Sequence, residues 1–145
     1  MGALPNGIYR IRLDDETRLT STDERTVTLL PAQHGARQEF AVRCTSGDNY
    51  SIAEPTPYWP VPFVCHDGDP REGARVILRV SDFPPIEWKI TQGAGPKTFT
   101  IVAADVGGPS LTIGSAPIPV FPPILELTSS SNGDHSWTFE FVRES

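Results

Sequence analysis

The chain has 145 residues, 38% of them hydrophobic and 21% charged. These values are typical of one globular domain with a single core and exclude a disordered chain. Its formal net charge is −6, and because an acidic surface repels phosphate backbones, we expect no nucleic-acid partner. Fifteen prolines and twelve glycines predict many short elements joined by turns, since both residues interrupt helices.

The first predicted elements are four short strands, because hydrophobic residues alternate in each of four segments. They are Tyr9–Ile11, Arg18–Thr20, Val27–Leu30 and Phe40–Val42. The first has the pattern aromatic-x-Ile, and the last has the pattern aromatic-x-apolar. We call these two patterns the opening and the closing of a repeat.

The same opening and closing return twice along the chain, at intervals of roughly 45 residues, the range of known structural repeats. The second set is Tyr50–Ile52, Trp59–Val64, Arg75–Val80 and Trp88–Ile90. The third set is Phe99–Ile101, Leu111–Ile113, Ile124–Leu127 and Trp137–Phe139. No stretch predicts an amphipathic helix, because β-branched residues dominate even the best candidate, 72–80.

Three copies of a four-strand unit predict an all-β protein, a β-trefoil of twelve strands in three pseudo-repeats. The predicted repeats span 7–47, 48–95 and 96–145 of a single domain, residues 1–145. A β-sandwich is the alternative, although it does not predict threefold matching of aromatic residues. We predict that the closing aromatics Phe40, Trp88 and Trp137 fill the barrel interior. Trp59, beside several prolines, is compatible with either core or surface.

The residues that carry chemistry do not form a recognisable catalytic or metal-binding pattern. The three histidines are scattered, and the segment from Cys65 to Asp69 is typical of a turn rather than of a metal site. No Gly-x-Ser-x-Gly motif or phosphate-binding glycine loop is present. We therefore predict a protein that is not an enzyme and that uses no cofactor and no metal.

The sequence also bears on location and assembly. No secretory signal or apolar run of membrane-spanning length is visible, so we expect a cytoplasmic monomer that does not bind membranes. Cys44 and Cys65 are then expected to be reduced structural thiols, although one disulfide between them is left open.

The two ends of the chain resemble those of the fungal β-trefoil protease inhibitors. The resemblance lies in Gly7-Ile8-Tyr9-Arg10-Ile11 and in Ser136-Trp137-Thr138-Phe139-Glu140-Phe141-Val142-Arg143-Glu144. The family includes the mycospins, which inhibit serine proteases, and the mycocypins, which inhibit cysteine proteases. The likeness extends over the whole chain in length and repeat number.

The resemblance to mycospins implies a reversible inhibitor of trypsin-like serine proteases. A loop between the second and third strands would enter the protease cleft in extended form, with a basic residue at its tip. Arg25 is the only basic residue of the loop 20–26, and its guanidinium suits a pocket with a carboxylate floor. The predicted site is Asp23, Glu24, Arg25 and Thr26, and the secondary candidates are Arg37, Arg71 and Lys97.

Two alternatives stay open. A mycocypin-like inhibitor of cysteine proteases would use the loops 14–17 and 33–37, whereas segment 54–58 lacks the asparagine that an inhibitor of legumain needs. A carbohydrate-binding trefoil is the other alternative. The repeat closings here lack the Gln-x-Trp motif of ricin-type lectins, so a sugar would need a different pocket, with Trp59 as the first residue to test.

Overall fold

The computed structural model describes residues 4–12, 17–21, 26–31, 38–55, 60–68, 71–81, 86–92, 98–103, 111–115, 125–129 and 137–144. These residues form twelve strands, and each strand overlaps one of the predicted segments. The strands are β1 (Gly7–Arg12), β2 (Thr17–Ser21), β3 (Val27–Pro31), β4 (Phe40–Ser46), β5 (Asn49–Ala53), β6 (Val61–His66), β7 (Val76–Ser81), β8 (Trp88–Gln92), β9 (Thr98–Ala103), β10 (Leu111–Ser115), β11 (Leu125–Ser129) and β12 (Trp137–Arg143). Trp59 and Ile124, which begin two predicted segments, lie outside the described residues.

Six of the strands close into an antiparallel barrel. The ring runs β1–β4–β5–β8–β9–β12 and returns to β1 through the pairing of the first and last strands. The other six form the hairpins β2–β3, β6–β7 and β10–β11, one per repeat, which cap the barrel. This is the β-trefoil architecture, so the predicted fold class is confirmed.

The register of the barrel explains the aromatic patterns in the sequence. Within each repeat, the opening aromatic is the cross-strand partner of the closing aromatic: Tyr9 with Phe40, Tyr50 with Trp88, and Phe99 with Trp137. Between repeats, each opening isoleucine faces the apolar residue of a closing: Ile11 with Phe139, Ile52 with Val42, and Ile101 with Ile90. Such directly opposed pairs are the stabilising unit of a sheet, so the repeat is a packing unit.

The closing aromatics lie in the core, as the sequence predicts. Phe40, Trp88 and Trp137 are each 0% exposed. The indole N–H of Trp88 donates to the carbonyl oxygen of Val64 at 2.8 Å, and that of Trp137 donates to Ile113 at 3.2 Å. Both acceptors lie on the first strand of the hairpin in the same repeat, so each indole fastens a hairpin to the barrel.

The residues that precede β1 are held against the barrel by two buried tyrosines. The phenol of Tyr50 accepts a hydrogen bond from the backbone N–H of Leu4 at 2.8 Å and donates to the Leu4 carbonyl at 3.1 Å. The phenol of Tyr9 donates to the carbonyl of Pro5 at 2.6 Å. Burial raises the pKa of both phenols above the ordinary value of 10.0. Leu4 and Pro5 are therefore part of the barrel packing.

A carboxylate fastens the seam where the first and last strands meet. Glu39, just before β4, contacts Arg10 of β1 at 3.4 Å and Arg143 of β12 at 2.8 Å. These pairs are partly exposed, so each contributes little free energy on its own.

Among the residues that the structure describes, no helix is long and apolar enough to span a membrane.

Replacement of Trp137 by Phe tests the indole bond. The substitution removes the donor to Ile113 and leaves a buried carbonyl unpaired, so we expect it to lower the free energy of unfolding by about 1–3 kcal/mol. Urea unfolding measures this loss, with Lys89→Ala, an exposed position on β8, as the control at within about 0.5 kcal/mol of wild type. A loss no larger than that of the control would contradict the assigned role.

The buried tyrosines predict a loss of stability in alkali. Because their pKa is raised in the fold, the unfolded chain releases phenolic protons first, so the contribution is complete below pH 10.0 and is lost as pH rises through the raised values. Urea unfolding at pH 8, 10 and 11 measures how steeply the free energy of unfolding falls with pH. We expect Tyr50→Phe to be less stable than wild type at pH 8 and to lose less stability above pH 10. Equal slopes in both proteins would sink this explanation.

Candidate functional site

The hairpin β2–β3 carries the predicted protease-binding loop. Its strands pair from Thr17 opposite Pro31 to Ser21 opposite Val27. Ser21 and Val27 are both buried, so the stems on either side of the loop are fixed in the fold. The strands on both sides of the predicted loop are thus paired in a defined register.

The second hairpin holds the C-terminal end of this loop. Thr26 forms an antiparallel bridge with Ile77 of β7. The equivalent bridge joins the second hairpin to the third, where Arg75 faces Glu126 of β11. Thr26, the residue directly before β3, is therefore paired with the neighbouring strand β7.

Of the predicted site, the structure describes only Thr26 and the secondary candidate Arg71. The remaining predicted residues lie outside the described residues: Asp23, Glu24, Arg25, Arg37 and Lys97. Their roles stay predictions.

Arg71 lies on the connection between β6 and β7 and is exposed. The backbone N–H of Ala74 donates to the carbonyl of Arg71 at 3.1 Å, and Gly73 has a φ of 90°, as at the third position of a type II turn. Gly73 and Ala74 also exchange backbone hydrogen bonds with Leu127 of β11, both at 2.8 Å. The carbonyl of Arg71 is thus bonded within a turn, whereas the predicted inhibitor loop is extended.

Gln38 is a residue of this region that the sequence analysis did not single out. It is 0% exposed, and its side-chain N–H groups donate to the hydroxyl of Thr20 at 3.2 Å and to the carbonyl of Pro31 at 2.9 Å. Comparison of the repeats could have found it, because Ile86 stands two residues before Trp88 where Gln38 stands two residues before Phe40. An amide at a position where the second repeat has an apolar residue is expected to be buried, and a buried amide needs hydrogen-bond acceptors nearby.

The sites of the alternative functions are described only in part. Within the loops 14–17 and 33–37, the structure describes Thr17 alone, as the first residue of β2. Trp59 lies outside the described residues. The closing aromatics are fully buried, and because stacking on a sugar needs an exposed ring face, none of the three is available for it.

The segment after β6 forms a turn. The backbone N–H of Asp67 donates to the carbonyl of Arg75 at 2.8 Å, and Gly68 has a φ of 74°. Nδ1 of His66 lies 2.9 Å from the carbonyl oxygen of Gly68. Within the described ranges, no three His, Cys, Asp or Glu side chains are grouped so that they could hold a metal ion.

No protein-family model matches the chain, and no curated protein matches it. Among solved structures, it is similar to a Polyporus squamosus lectin bound to the human-type influenza-binding epitope Neu5Aca2-6Galb1-4GlcNAc (TM-score 0.73, 15% identity, 95% of this chain and 50% of that chain). It is also similar to ThreeFoil, a designed threefold-symmetric protein (TM-score 0.75, 14% identity, 94% of this chain and 99% of that chain).

A third similar structure is the exo-β-1,3-galactanase 1,3Gal43A from Clostridium thermocellum (TM-score 0.73, 14% identity, 94% of this chain). This chain spans 50% of the lectin chain and 30% of the galactanase chain. Likeness at these identities shows the β-trefoil fold, and the fold by itself does not assign an activity.

The two free cysteines differ in their surroundings. Cys65 is fully buried, and burial raises the pKa of its thiol to about 11, whereas Cys44 is only half-buried. Since the thiolate is the reactive form, we expect a disulfide-exchange reagent at pH 8 to modify Cys44 in the native protein and Cys65 only on unfolding. Cys44→Ser identifies the faster thiol. Equal rates for both thiols, or no free thiol after unfolding, would contradict this assignment.

Proposed function

We propose that this chain is a β-trefoil inhibitor of trypsin-like serine proteases, similar to the mycospins, that reversibly occludes the active site with the loop 20–26. The observation that carries the proposal is the anchoring of this loop at both ends. Ser21 pairs with Val27 across the hairpin, and Thr26 is bridged to Ile77 of the next repeat. Arg25, which immediately precedes Thr26, is the residue proposed to fill the specificity pocket.

Anchoring matters because an inhibitor must bind tightly through a short segment. A flexible loop loses conformational entropy when a cleft orders it, whereas a loop with fixed stems loses less. The buried neighbours Thr20, Ser21 and Thr28 give hairpin β2–β3 a rigid base. The supporting geometry is thus that of a scaffold that presents a loop.

The chemistry of Arg25 suits the proposed pocket. Its aliphatic stem buries apolar surface, and its planar guanidinium forms two parallel hydrogen bonds with a carboxylate. Arg25 is the only basic residue between Ser21 and Thr26. One fully desolvated arginine in a pocket is typical of the few residues that dominate interface affinity.

A carbohydrate-binding function is the second candidate, and the observation that favours it is the fold that this chain shares with the Polyporus squamosus lectin. Against it stand the missing Gln-x-Trp motif and the burial of all three closing aromatics. A sugar site would need another surface, and Trp59 is the residue that we propose to test there.

Titration of trypsin with the wild-type chain and with Arg25→Ala tests the proposal. We expect wild type to inhibit and Arg25→Ala to bind at least about 100-fold more weakly, as for loss of a dominant interface residue. Arg25→Lys, which keeps the positive charge, retains inhibition, and Lys89→Ala, which removes an exposed positive charge from β8, is the control that leaves it unchanged. Papain serves as the second target protease.

The other outcomes separate the alternatives. Inhibition that survives Arg25→Ala moves the site to Arg37, Arg71 or Lys97. Inhibition of papain alone favours the loops 14–17 and 33–37. No inhibition of either protease overturns the proposal, and a glycan array with wild type and Trp59→Ala then tests the lectin function.

A further inference from the structure

The three hairpins are not fastened to the barrel in the same way. In the second and third repeats, the indole N–H of the closing tryptophan donates to the hairpin carbonyls of Val64 and Ile113. The closing residue of the first repeat is Phe40, which has no N–H to donate. The hairpin proposed to carry the protease-binding loop therefore lacks this bond.

Gln38 supplies polar bonds to the hairpin of the first repeat. Its Nε2 atom lies 2.9 Å from the carbonyl oxygen of Pro31 and 3.4 Å from that of Leu30, both on β3. The same nitrogen lies 3.2 Å from the hydroxyl of Thr20 on β2. One side chain outside the hairpin thus bonds to both of its strands.

The surroundings of Gln38 match its polarity. On the hairpin, Thr20 is the cross-strand partner of Thr28, and both are buried. In the second repeat, the equivalent pair is Cys65 and Ile77, and Ile86 packs there in place of Gln38. In the first repeat, a polar side chain, Gln38, packs against a pair of threonines. In the second repeat, an apolar side chain, Ile86, packs against an apolar pair.

We infer that Gln38 is a positioning residue for the protease-binding loop, an inference that rests on the proposed function. Hydrogen bonds are directional, so an amide that donates to two strands fixes the rotation of the hairpin about the barrel as well as its distance. Thr20 itself belongs to the predicted loop 20–26, so this bond acts directly on its N-terminal end. No described residue donates to Oε1 of Gln38, so its polar contacts with the hairpin are made by its N–H donors.

The positioning acts on the loop and not on the protease. Without the amide, the carbonyls of Leu30 and Pro31 and the hydroxyl of Thr20 lose a donor. The pairing of β2 with β1 and the bridge from Thr26 to Ile77 remain, but they do not replace these bonds. A displaced hairpin presents the loop in several orientations, which lowers affinity because the cleft then has to order it. A loop in the wrong orientation is also a better substrate, because it leaves the protease cleft once its peptide bond has been cleaved.

Gln38→Met tests the inference, because methionine keeps the length of the side chain and removes its donors. The matched control is Ile86→Val, which shortens the equivalent residue of the second repeat by one methyl group. Wild type, Arg25→Ala and both variants are compared by thermal unfolding, by the trypsin inhibition constant and by the rate at which trypsin cleaves the Arg25–Thr26 bond.

We expect Gln38→Met to raise the inhibition constant by about 10- to 100-fold and to accelerate cleavage, as loss of orientation does. We expect Ile86→Val to leave the inhibition constant and the cleavage rate unchanged, even if it lowers the melting temperature as much as Gln38→Met does. This comparison separates positioning of the loop from general stability. If Gln38→Met does not fold, Gln38→Asn, which shortens the reach of the amide, is expected to shift both quantities less and in the same direction.

Two failures are distinguishable. Wild type that inhibits through Arg25, with Gln38 variants that match Ile86→Val in inhibition and cleavage, overturns this inference alone. Wild type that does not inhibit trypsin overturns the proposed function and this inference with it.

Discussion

The fold depends on one packing constraint, the filling of a narrow six-stranded barrel by paired aromatic and branched side chains. Each repeat contributes an opening aromatic and a closing aromatic that face one another across two strands, as Tyr50 faces Trp88. The core around such a pair is incomplete without the side chains that the next repeat contributes. Closure of the barrel by β1 and β12 completes the core for all three repeats at once.

The sequence predicted the fold well for a physical reason. The interior of a small barrel leaves little freedom in side-chain size, so the openings and closings stay recognisable in every repeat. The individual ties are not visible in that pattern. The bond from Tyr50 to Leu4 depends on how the chain crosses the barrel, and no local spacing encodes a contact between positions 46 residues apart.

For the candidate site, the strand pattern predicts a loop between β2 and β3, and the resemblance to the mycospins implies Arg25 within it. Neither indicates what holds the loop. The bridge from Thr26 to Ile77 joins two repeats and follows from the threefold arrangement of the hairpins. The first repeat also departs from the others in its tie to the barrel, because Phe40 replaces tryptophan. The attachment of the first hairpin to the barrel therefore differs from that of the other two hairpins.

The pairing of β1 with β12 has a consequence for chain connectivity. Ile8 lies opposite Arg143, so the two ends of the described chain are neighbours on the barrel wall. The repeats follow one another around a closed ring. A circularly permuted chain, opened between two repeats and joined across the seam, would keep the same strand pairs and the same core. The order of the repeats is thus a property of the covalent chain, whereas the fold itself is cyclic.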